Sequence, residues 1–167
     1  MKYARPLITV IALMTMIVFI FAYLGKTQQM RVVYESNISR LPVEMMPDKF
    51  QCSECGMIIH DLKFAAQVIA PDGKTWFFDD IGCMAAWINA RPFKDSAIIW
   101  VNSLDLGGWI DARRASYSRS DTTPMSYGFG AYSGSRAGYV DFNSMQSYML
   151  KGETLANPDF RKQVLGN

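Results

Sequence analysis

Phe64-Ala-Ala-Gln-Val-Ile-Ala70, Pro71-Asp-Gly73, Lys74-Thr-Trp-Phe-Phe78 and Asp79-Asp-Ile-Gly-Cys-Met84 follow one another without a break, and their order sets the fold. The first piece reads as a strand, and Pro-Asp-Gly is a strong turn signal. The third piece, rich in aromatic residues, reads as a second strand. A turn this short forces the two strands to run antiparallel. Asp79 and Asp80 then offer an N-cap and negative charge for a helix from Ile81 to about Ala90. Pro92 ends that helix, and Ala97 to Val101 is a third strand. The order is strand, strand, helix, strand.

The second half of the chain echoes this pattern. Trp109 to Tyr117, Tyr127 to Ser133 and Gly138 to Phe142 carry strand-like residues, and Asn143 is placed to cap a helix through Leu150. Setting the two strand-to-helix junctions against each other puts Met145 opposite Cys83. The predicted fold class is α+β, with two small related strand-strand-helix-strand units whose sheets are antiparallel. The first unit covers residues 49–105, the second 106–155, and residues 156–167 form a C-terminal tail.

Ahead of these units, Leu7 to Leu24 is an 18-residue run without charge. It reads as an N-terminal transmembrane helix, an uncleaved anchor within residues 1–25, with a cleaved signal peptide as the alternative. Lys2 and Arg5 favour a cytoplasmic N-terminus, although Lys26 and Arg31 oppose them from the other side. Residues 26–48, with Pro42 and Pro47, read as a tether or loosely docked arm. This predicts a single-pass protein of the inner (cytoplasmic) membrane, its C-terminal domain in the periplasm or outside the cell.

Composition excludes several classes of function. A net charge of +2 with 19% charged residues suits neither a disordered tail nor a nucleic-acid binder. Arg113, Arg114, Arg119 and Arg136 cluster in sequence with several tyrosines and face only Asp121 nearby, which marks a solvated face. His60, the one histidine, completes no nucleophile–His–carboxylate set, and there is no glycine-rich phosphate loop. The expectation is a protein that is not an enzyme.

Sulfur carries the remaining chemistry. Three cysteines and eleven methionines stand in the chain. Cys52-Ser-Glu-Cys55-Gly-Met57 allows a tight backbone turn at Gly56. Cys83 sits near a helix start, and Met125 follows Pro124 in a polar loop. Thiolates combined with thioethers point to a soft cation, above all Cu(I). Other readings of the same residues stay open. Cys52 and Cys55 also suit a disulfide or a thiol–disulfide oxidoreductase, and Cys52, Cys55, Cys83 and His60 also suit a structural zinc module. Met57, Cys83 and Met84 also suit core packing, as do Met45 and Met46.

Cys52-x-x-Cys55-Gly-Met57, Phe64-Ala-Ala-Gln67, Phe78-Asp-Asp-Ile-Gly-Cys-Met84, Trp109-Ile-Asp-Ala-Arg-Arg-Ala115 and Thr123-Pro-Met-x-Tyr-Gly-Phe-Gly-Ala-Tyr132 resemble the NosL family. These are copper-binding accessory proteins of nitrous oxide reductase assembly. The resemblance spans about residues 50–142 in the family's order. It implies a membrane-anchored, extracytoplasmic Cu(I) chaperone that delivers copper to an apo-cuproenzyme, nitrous oxide reductase, beside a membrane copper and transport apparatus. It also implies a fold related to the organomercurial lyase core. By the same resemblance, Cys55 and Met57 bind the metal and Met125 joins them from the other half. Cys52 and Cys83 fall on matching motif positions. Family members are commonly lipoproteins, and no cysteine stands at the end of the apolar run here.

Overall fold

The computed structural model describes residues 4–27 and 30–166. The chain divides into two units, one ending at Met30 and the other starting at Arg31. In the first unit, helix α1 spans Ala4–Thr27, while Lys2 lies outside the described residues. No helix among the described residues is long and apolar enough to cross a membrane, which corrects the expected transmembrane anchor. Thr15 and Tyr23 interrupt the apolar surface of α1, and the Thr15 hydroxyl turns back to donate to the Ile11 and Ala12 carbonyls. The single-pass inner-membrane placement, with its C-terminal domain on the far side, loses its support with the anchor.

The second unit is α+β with antiparallel sheets. β2 (Ala66–Ile69) and β3 (Thr75–Phe78) form the hairpin that the Pro-Asp-Gly turn predicts, with Ala66 opposite Phe78 and Ile69 opposite Thr75. Gly73 closes the turn at φ +85°, and a Cβ there would lie 3.1 Å from the Asn37 backbone. Both reasons require glycine. β4 (Ile98–Asn102) pairs with β2 on the other side, and β5 (Trp109–Asp111) pairs with β4. β1 (Val33–Tyr34) completes a five-stranded sheet in the order β1-β3-β2-β4-β5.

Side-chain alternation sends each set of residues to one face. Ala66, Val68, Phe78, Ile99 and Val101 face helix α2 (Ile81–Asn89) and join Met84, Ala85, Trp87 and Ile88 in the larger core. On the opposite face, Phe77 meets Met45, Phe50 and Ile59 in a second, smaller core. The cover over that face is the segment that follows Arg31. It is fixed at Val43, whose N–H donates to Gln67 Oε1 and whose carbonyl accepts from Gln67 Nε2, both at 2.8 Å. Trp100 Nε1 donates to the Arg40 carbonyl at 3.2 Å.

After β5 the chain forms a two-stranded sheet, β6 (Ser116–Tyr117) with β7 (Ala131–Tyr132). Helix α3 (Phe142–Leu150) packs beside α2, and α4 (Pro158–Leu165) follows it. The expected strand over 127–133 is shorter than its residues suggest. Gly128 adopts φ +92°, and a Cβ at Gly130 would collide with the Asp121 carboxylate. Gly138 to Phe142 contributes only a bridge from Val140 to Tyr117. Helix α3 is capped by Asp141, whose side chain accepts from Ser144 N at 2.8 Å, so the cap falls two residues before Asn143.

Gln67 is buried, and its amide is the partner of both Val43 backbone groups. Gln67→Leu leaves those groups unpaired beneath the cover. Stability should fall by about 1–3 kcal/mol, read as a lower urea midpoint at unchanged slope. A wild-type midpoint would show that the cover is held by other contacts.

Candidate metal centre

The turn Cys52–Met57 lies beside the end of β3. Ser53 N donates to the Phe77 carbonyl at 2.8 Å, which ties the turn to the strand. Within it, Cys52 N donates to the Met57 carbonyl at 2.8 Å and Gly56 N to the Cys52 carbonyl at 3.0 Å. Gly56 makes this possible at φ +75°. Backbone amides aim at the sulfurs. The Cys55 N–H faces the Cys52 sulfur, and the Met57 N–H faces the Cys55 sulfur. Such a turn presents two sulfurs to one point before any ligand arrives.

Cys83 meets them from the first turn of α2. Cys52, Cys55, Cys83 and Asp79 bring one donor atom each to within 4.8 Å of one another, a group that can hold a metal ion. Two sulfurs on one ion, with bonds of about 2.3 Å, stand at most about 4.6 Å apart. Only small adjustments are therefore needed. Cys52 is 2% exposed and Cys83 1%, whereas Cys55 is half-buried and reaches solvent. All three are free thiols.

The sulfurs polarise one another. The Cys83 thiol bonds to the Cys52 sulfur, which lowers the Cys52 pKa to about 7 against the opposing effect of burial. The same bond is the largest reason that the Cys83 thiol is pushed far up. Cys55 is pushed up to about 12, first by desolvation and then by its acidic neighbours. Cys52 is thus the one thiol of the three whose pKa is lowered, while buried Cys83 and solvent-reaching Cys55 are both raised.

Asp79 escapes a reading of the sequence. As one of two aspartates before a helix, it looks like a cap. Asp80 takes that role, accepting from Gly82 N at 2.8 Å. Its other oxygen accepts from Met125 N at 3.0 Å, and the Thr123 hydroxyl adds a further bond. Burial raises the Asp80 pKa, and these donors counter it. The Thr123–Met125 loop is therefore fastened to the start of α2. Ser126, at φ 57°, turns the chain back, and the Tyr127 ring lies over Gly82, where a Cβ would be 2.3 Å from the ring. Tyr127 is held up at about 12 by burial first and then by Cys83, Asp80, Cys55 and Glu54. A cap doublet with one member to spare is the signal in the sequence that points to Asp79.

The remaining expected ligands sit differently. Met125 is partly buried and packs against the core that contains Cys52 and Cys83. Met57 is 45% exposed, with its sulfur-bearing side chain in solvent beside the turn. His60 is exposed and pairs with Asp48, apart from the converging donors. Met45 and Met84 are buried in the two cores, while Met46 is exposed. A scan against protein-family models matches none, and a search of curated proteins finds no significant match.

Asp80→Ala removes the cap and the Met125 anchor together. Stability should drop by about 1–2 kcal/mol, and amide hydrogen exchange should quicken across residues 123–127. Unchanged exchange at Met125 would show that the loop is held without Asp80.

Proposed function

We propose that this protein is a Cu(I) chaperone that carries the ion on cysteine sulfur and passes it to an apo-cuproenzyme. One observation carries the reading: three thiols converge, and only Cys55 among them reaches solvent. A carrier needs soft donors for affinity and an approachable one for exchange with its client, whereas a structural site is closed. Met57, exposed two residues after Cys55, and Met125, on the loop held by Asp80, are the thioethers proposed to assist the ion during transfer. A thioether has no proton to displace, so it suits a transient ligand during transfer. The motif resemblance to the NosL family supports the same reading and makes nitrous oxide reductase the proposed client.

The pattern of thiol acidities opposes the thiol–disulfide reading. An attacking cysteine is an exposed thiolate. Here the sulfur with the lowered pKa, Cys52, is buried, and the accessible one, Cys55, is pushed up. Redox exchange therefore has no ready nucleophile, and a carrier rather than a catalyst fits the cluster.

Titration with Cu(I) against a chromophoric chelator, without oxygen, tests the proposal. One equivalent should bind, and Cys55→Ser should weaken binding by at least about tenfold, with smaller losses in Met57→Ala and Met125→Ala. Cys55, held at about 12, carries its proton at neutral pH. Coordination must displace that proton, so the apparent affinity should rise with pH by about tenfold per unit for each proton released. No Cu(I) uptake, or uptake indifferent to Cys55→Ser, would overturn the proposal.

A further inference from the structure

The Asp79 carboxylate is 3% exposed, and its Oδ2 is buried with no hydrogen-bond partner. Cys55 Sγ donates to its other oxygen at 3.5 Å. None of the ion pairs among the described residues involves Asp79. Asp80 supplies the helix cap, so Asp79 is not needed there. A buried carboxylate oxygen left unpaired is costly unless something completes it. The donors that surround it are three sulfurs.

We propose that Asp79 is a metal ligand selective for divalent cations, making the same cluster a three-sulfur, one-oxygen site for an ion such as Zn2+. Charge and donor chemistry together separate the two kinds of ion. Three thiolates and a carboxylate carry four negative charges, of which a divalent ion cancels two and Cu(I) only one. Zn2+ is borderline-soft and accepts a carboxylate beside thiolates in a tetrahedral set. Cu(I) is soft and favours sulfur alone. Each coordinated thiol releases its proton to solvent. Divalent ions thus compete with Cu(I) for the sulfurs while using one donor that Cu(I) leaves aside. The assignment shares its sulfurs with the copper reading and does not depend on it.

Zinc K-edge absorption of the full chain loaded with Zn2+ alone tests the assignment beside affinity measurements on variants. The wild type should show three sulfurs at about 2.3 Å and one light donor at about 2.0–2.2 Å. Asp79→Asn should weaken Zn2+ binding by at least about tenfold and leave Cu(I) affinity within threefold. Asp79→Cys should raise the sulfur number on zinc from three to four, a gain that a misfolded variant would not give. Zn2+ affinity unchanged in Asp79→Asn would mean that the light donor is water, which overturns the assignment. A sulfur number that stays at three in Asp79→Cys, or an equal loss of Cu(I) and Zn2+ in Asp79→Asn, also overturns it. Should the wild type take no Cu(I) yet keep the mixed zinc shell, the copper reading fails and the role of Asp79 stands.

Discussion

The carboxylate of Asp80 joins two parts of the chain that are 45 residues apart in sequence. One oxygen caps helix α2 through Gly82, and the other holds the Met125 amide. The group is buried, which raises its pKa, and these backbone donors and the Thr123 hydroxyl counter that rise. Through it, the start of α2, which carries Cys83, and the loop that carries Met125 and Tyr127 share one position. Gly82 follows from the same arrangement, since the Tyr127 ring occupies the space of a side chain there. The helix cap thus positions Cys83 and the Met125 loop, one side of the candidate site.

Around that junction the donors differ in accessibility as well as in chemistry. Cys52 and Cys83 form an inner, hydrogen-bonded pair, and Cys55 stands between that pair and solvent. Asp79 adds a hard oxygen on the buried side, while Met57 lies exposed two residues beyond Cys55. On the two proposed readings, a soft monovalent ion would use the sulfurs alone and a divalent ion would also take the oxygen, so the charge and softness of the ion would choose the ligand set.

Legibility in the sequence followed the density of local signals. The hairpin across Pro71-Asp72-Gly73 and the helix beginning at Ile81 are written in turn and cap residues, and they stand close to where pattern reading puts them. The second half was harder to read because glycine at 128 and 130 breaks the strand pattern, and because Asp141 competes with Asn143 for the cap. The uncharged run at the N-terminus reads as a spanning segment, yet no helix among the described residues is long and apolar enough to cross a membrane. At the site, the three cysteines were legible as candidates for one ligand set, but the backbone bond from Ser53 N to the Phe77 carbonyl that ties their turn to β3 was not. Asp79 was hidden by looking like half of a cap.

Copper K-edge absorption of the Cu(I)-loaded full chain, compared with its Cys55→Ser variant, reads the donor atoms themselves. The expected spectrum has a first shell of sulfur only, with two or three scatterers, and Cys55→Ser loses at least one of them. A shell dominated by nitrogen or oxygen, or a sulfur shell unchanged by Cys55→Ser, would contradict a copper site built on this cluster.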